Sequence, residues 1–168
     1  SMAAYKLTLS REVVRIRVIA ASDSDRDQNL KRKVRDAVLS DLENVPREAL
    51  EEWLPELQAV AEKTLEKNGA SAPVRVALGR EPYRRISEDA ADLPSGTYET
   101  LCLTIGAGEG HNWWCVLYPN MCFRGSVYEV TTDDARKALR EVLTPEEYAD
   151  VFRHGKFQIR FKFLEYFR

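Results

Sequence analysis

The stretch from Gly106 through Ala107, Gly108, Glu109, Gly110, His111, Asn112, Trp113 and Trp114 to Cys115 holds the densest set of side chains able to do chemistry. Three alternating glycines can expose backbone N–H groups to an anion, as a phosphate cradle does. A dinucleotide fingerprint needs its third glycine where His111 stands, and a helix behind it. Behind this loop the chain instead reads NWWCVLY, a strand pattern. No Gly-Lys-Ser/Thr occurs, so a P-loop is excluded. Two readings of the loop remain. It is either a flexible hairpin turn or a recognition loop whose bare backbone a partner can approach. In the second reading the partner-binding residues are Gly106, Gly108, Glu109, Gly110, His111, Asn112 and Trp113. Trp113 and Trp114 point to opposite faces of the strand. One is expected in the core; the other is covered by helices or exposed as a binding anchor.

His111 and Cys115 are the types of a base and a nucleophile. Along a strand they stand about 13 Å apart, whereas proton abstraction needs about 3 Å. Zinc on His111, Cys115, Cys122 and His154 matches no compact ligand spacing. Asp23, Asp25 and Asp27 imitate the opening of a calcium loop, but its sixth and twelfth positions fall on Gln28 and Val34 instead of glycine and a carboxylate. Helix capping is the better account of these aspartates. The residues therefore point to no catalytic site, no metal site and no cofactor. Cys115 and Cys122 either pair, if the compartment is oxidising, or remain buried thiols; Cys102 lies in a separate apolar run.

The elements that position these residues are set by periodicity. VVRIRVIA at 13–20 alternates as a strand, with Val14, Ile16 and Val18 on one face and Arg15 and Arg17 on the other. Ser24 then caps a helix running to about Leu42, with Leu30, Val34, Val38 and Leu42 as its apolar stripe. The acidic start and the basic run Lys31-Arg32-Lys33 suit the helix dipole. Pro46 opens a second helix with a stripe of Leu50, Leu54, Leu57, Ala61 and Leu65, and Pro55 predicts a kink or a break. Asn68-Gly69 is a stop signal. A strand over 73–79 places Val74, Val76 and Leu78 inward. The polar span 80–95 reads as a loop or a ragged edge strand. Strands at 97–105 and 112–118 form a hairpin closed by the glycine loop. Short helices are expected at 133–142 and after Thr144. A last strand is expected in FQIRFKFLEYF, with Phe157, Ile159, Phe161 and Phe163 facing in. The order gives an α/β fold, or α+β, with a mixed sheet of about five strands covered by helices.

The chain has 168 residues, enough for one domain and its core. Residues 1–4 read as a cloning remnant or a disordered end, and 5–168 as a single domain. Hydrophobic residues make up 44% and charged residues 31%, with a formal net charge of -2. That balance is globular and argues against a nucleic-acid partner, which calls for a basic excess. No run approaches 18 apolar residues, the length of a membrane span.

Two segments carry a resemblance. VIAASDSDRDQNLKRKVRDAVL and LPSGTYETLCLTIGAGEGHNWWCVLYPNMCF, the latter at 93–123, resemble the stage II sporulation protein R family, in order and over about a third of the chain. In the family pattern Ala107 is more usually a glutamate, and prolines occupy both 119 and 120, where this chain has Pro119-Asn120. The resemblance implies a non-enzymatic signalling protein, made in the forespore and exported to the space between the forespore and mother-cell membranes. There its partner is a membrane-embedded aspartic protease of the mother cell, which trims the precursor of sigma-E. In an exported chain Cys115 and Cys122 are expected to pair. The alternative function is a cell-envelope hydrolase working through Cys115, Glu109 or His111.

Overall fold

The computed structural model describes residues 11–84, 93, 95–118, 122 and 145. Strand β1 spans Val14–Ile19, helix α1 Asp25–Leu42 and helix α2 Leu50–Lys67, with a 3-10 turn at Arg47–Ala49 leading into α2. Strands β2, β3 and β4 span Val74–Tyr83, Gly96–Ile105 and Asn112–Tyr118. The four strands form one sheet in the order β2-β3-β1-β4. With both helices inserted between β1 and β2, the architecture is α+β. The expected helices at 133–142 and after Thr144 and the strand at 157–163 lie outside the described residues, apart from Pro145. Among the described residues no helix is long and apolar enough to cross a membrane.

Contacts divide the chain into two compact units, one containing 16–79 and 100–114, the other 80–99 with the segments around Arg15 and Cys115. In the first unit, α1 starts where its cap predicts: the Ser24 hydroxyl accepts from the Asp27 N–H at 3.1 Å. Such a cap contributes about 1 kcal/mol. Leu30, Val34, Val38 and Leu42 are all buried, as are Leu50, Leu57, Ala61 and Leu65 of α2. Each such valine or leucine contributes about 1.5–3 kcal/mol if fully buried. Pro55 does not split α2, which runs unbroken through it. The helix is not divided because a proline at the sixth helical residue forfeits a single intrahelical bond, and the carbonyl that loses it belongs to exposed Glu51.

Helix α2 ends on Asn68, and Gly69 takes φ 74°. The Ala70 N–H donates to Leu65 C=O and the Gly69 N–H to Glu66 C=O, both at 3.0 Å. This is the double bond pattern that satisfies the last carbonyls of a helix. From α1, Arg26 donates to the Gly69 carbonyl and Lys33 to Asn68 Oδ1. Val74 N–H, at the start of β2, donates to Glu62 of α2.

Two sheet expectations change. Strand β2 extends to Tyr83, and Val76 and Leu78 are only half-buried, because β2 stands at the sheet's end. Pro82 is tolerated there since an edge strand can spare a donor. In the second unit Arg15, on the face opposite Val14, Ile16 and Val18, is 4% exposed, its guanidinium 4.5 Å from the centre of the Tyr83 ring. Tyr83 in turn meets Tyr98 edge-on at 6.2 Å. A cation over an aromatic face is attracted by the ring quadrupole, which offsets part of its desolvation.

The largest correction concerns β3 and β4. They do not pair as a hairpin, because β1 lies between them. The antiparallel neighbour of β3 is instead β2: Gly106 N–H donates to Pro73 C=O at one end, and Arg80 reaches Thr97 C=O at the other. Periodicity cannot reveal this arrangement, since β1 enters from 77 or more residues upstream.

Candidate functional site

With β1 inserted between them, β3 and β4 are joined by a crossover at 106–111 that passes the C-terminal end of β1. The backbone is tied down along most of this length. Gly106 N–H donates to Pro73 C=O at 2.9 Å and Gly108 N–H to Ile105 C=O at 3.0 Å. Glu109 N–H donates to Ala21 C=O at 3.2 Å and Gly110 N–H to Ala20 C=O at 2.9 Å. His111 N–H donates to Asp23 Oδ1 at 2.7 Å. The backbone donors expected to be bare are thus already used within the chain.

The glycines answer to space as well as to conformation. Gly106 and Gly108 have φ of 53° and 63°, where a Cβ is strained. A Cβ on Gly108 would stand 2.5 Å from Thr104 Cγ2, and one on Gly110 2.2 Å from the Ser22 carbonyl oxygen. The loop therefore packs against β1 and the turn beyond it. Of the seven residues read as a recognition set, Glu109 is exposed. Gly106, His111 and Asn112 are half-buried, while Gly108, Gly110 and Trp113 are buried. Ala107 is exposed beside them. Both tryptophans are 3% exposed. Trp113 carries the guanidinium of Arg35, from α1, 5.3 Å from its ring centre. Neither ring is the exposed anchor that sequence alone allows.

The turn at 22–24 is built to receive this loop. Ser22 Oγ donates to Asp27 Oδ2 at 2.6 Å, and Gln28 Nε2 donates to the Ser22 carbonyl at 3.1 Å. Asp23 accepts from the His111 N–H and also meets His111 Nδ1. The His111 N–H, foremost, holds the Asp23 carboxyl below its ordinary range; the His111 ring and the Lys31 charge act in the same direction. Asp23 and Asp27 are thereby engaged within the protein. Among the described residues no group of three or more His, Cys, Asp or Glu converges as metal ligands would.

Lys31 is the residue that sequence reasoning missed. Read only as part of the basic run Lys31-Arg32-Lys33 that suits the helix dipole, it is fully buried. Its Nζ donates to Gln28 Oε1 at 2.6 Å and to the His111 carbonyl at 3.2 Å. The available signal was its place next to Leu30 and three residues before Val34, on the flank of the apolar stripe.

Cys115 and Cys122 are joined as a disulfide with Cα atoms 5.9 Å apart, inside the usual 4.4–6.8 Å span. Both are buried. Cys102 lies outside this bridge, half-buried in β3. His154 lies outside the described residues.

No solved structure matches this chain significantly. Stage II sporulation protein R of Bacillus subtilis (strain 168) is 38% identical over 121 residues, covering 67% of this chain and 54% of that protein. The chain thus spans about half the length of the curated relative it matches. The family model for stage II sporulation protein R (spore_II_R) matches residues 10–128, which take in the four described strands, helices α1 and α2, the crossover and both bridged cysteines. By that match the chain belongs to the stage II sporulation protein R family.

Proposed function

We propose that this chain is the extracytoplasmic signalling domain of a sporulation protein. It is made in the forespore and exported to the space between the two membranes. There it engages a membrane-embedded aspartic protease of the mother cell and so triggers trimming of the sigma-E precursor. Family membership is the observation that carries this reading. The crossover supports a ligand's role, because it holds Glu109 outward on a backbone fixed by five hydrogen bonds to Pro73, Ile105, Ala21, Ala20 and Asp23. A preset surface loses less entropy when it docks. The protein acts by binding, shifting its partner toward the active state by as much as it prefers that state. The hydrolase reading is weakened at its centre, since a nucleophilic cysteine needs a thiolate and the Cys115 sulfur is bonded to Cys122.

The test is Glu109→Ala with Asn112→Ala. Neither residue is buried, so the circular dichroism spectrum and melting temperature should stay near those of the parent chain. Sigma-E precursor processing in sporulating cells should fall. Normal processing would remove the crossover from the contact surface. Export has its own check: mass spectrometry of the unreduced protein from sporulating cells should show Cys115 and Cys122 linked, and free thiols at both would count against an oxidising destination.

A further inference from the structure

An ammonium is costly to bury and is retained inside a protein only where its hydrogen bonds matter. Lys31 meets this condition on α1. For helix packing alone a methionine or leucine would serve. What the ammonium adds is a second and closer donor on the carbonyl of His111, 80 residues downstream, at 3.2 Å beside the Ala20 N–H at 3.5 Å, with Gln28 Oε1 steadying it at 2.6 Å. Asp23 takes the other polar backbone group of the same residue, the His111 N–H, and meets its ring. His111 is where the crossover becomes β4, so fixing it fixes the loop's exit. Glu109 and Gly110 are meanwhile bonded to Ala21 and Ala20 of the adjoining turn.

We propose that Lys31 and Asp23 are positioning residues of the crossover, holding both backbone groups of His111 so that Glu109 meets its partner in one preset conformation. The functional half of this proposal rests on the reading of the crossover as the contact surface. One consequence is geometric. The acidic turn and the glycine loop are a single bonded unit, so exposed Asp23 and Glu109 belong to one surface, and a change in the turn acts on the loop.

The experiment uses the full chain with Lys31→Met, which keeps the aliphatic stem, and separately with Asp23→Ala at an exposed position. Three quantities are measured: melting temperature, amide hydrogen exchange, and precursor processing in sporulating cells. The expected result is exchange at Glu109, Gly110 and His111 faster by about tenfold, as for a locally opened segment, with Leu101 and Leu103 in β3 unchanged and processing reduced. A merely structural lysine would lower the melting temperature and speed exchange throughout. Unchanged loop exchange in both variants overturns the positioning role. Faster loop exchange with normal processing overturns the functional half, and Glu109→Ala with Asn112→Ala then shows whether the contact reading falls with it. If Lys31→Met does not fold, Asp23→Ala decides alone.

Discussion

Gly69 and Gly110 both stand where the chain changes direction, and they do opposite jobs. Gly69 ends α2 with φ 74°, and a Cβ placed there would meet nothing within 4 Å. Its role is conformational and local: it lets two N–H groups turn back onto Leu65 and Glu66. Gly110 is not among the positive-φ glycines, yet a Cβ there would stand 2.2 Å from the Ser22 carbonyl oxygen and 2.9 Å from Ala20 Cβ. Its role is spatial, and the space is filled by residues about 90 positions upstream. The same residue type thus reports on the backbone in one connection and on a tertiary contact in the other.

Substitution separates the two. Gly110→Ala should be the most damaging, costing about 3 kcal/mol, because the atom it strikes is backbone and cannot rotate away. Gly108→Ala should come next at about 2 kcal/mol. It combines a φ of 63° with a clash against a threonine methyl, and that methyl can turn aside. Urea denaturation of the three chains measures this directly. A Gly110→Ala chain as stable as its parent would mean that the crossover does not seat against the turn.

Gly69→Ala should cost about 1 kcal/mol, the strain of a left-handed alanine with no steric term added. Asparagine tolerates that conformation better, so Gly69→Asn should recover part of the loss. At position 110 asparagine should recover nothing, since the obstacle there is volume. Recovery at both positions, or at neither, would erase the distinction between the two glycines.

The contrast also explains what was legible in the sequence. Much of what local rules set was readable: the Ser24 cap, the stripe of α1, the stripe of α2 apart from half-buried Leu54, the Asn68-Gly69 stop, and the strands β1, β3 and β4. What escaped depended on long-range neighbours. Nothing near Gly106 says that β1 will separate β3 from β4. Nothing near Arg15 says that Tyr83 will lie under it, or near Lys31 that the His111 carbonyl will stand within reach. The candidate site is visible in its composition, yet backbone freedom is only half the reason for its glycines. They admit the neighbouring turn as much as they free the backbone. A buried cation on an otherwise polar flank is decided by its distant partner, and one-dimensional periodicity does not contain that partner.

The smallest effect expected is on pH dependence, and it bears on the same contact from the side of the turn. The Asp23 carboxyl is held below its ordinary range, first by the His111 N–H, then by the His111 ring and the Lys31 charge. A carboxyl whose value is lowered by folding binds its proton more readily in the unfolded chain. Its contribution is therefore fully present above the unfolded value of about 3.9 and disappears as pH falls through the lower folded value. Asp23→Asn removes this titration. Thermal melts from about pH 5 to about pH 2.5 should show the parent losing its advantage over the variant across the acid end of the range. The change should be small, because Asp23 is exposed and solvent screens its charges. Added salt should shrink the part that comes from charge and leave the hydrogen bond to the His111 N–H. Parallel curves for parent and variant through the acid range would mean that Asp23 does not hold the crossover in solution, and would leave Lys31 as its remaining anchor on the α1 side.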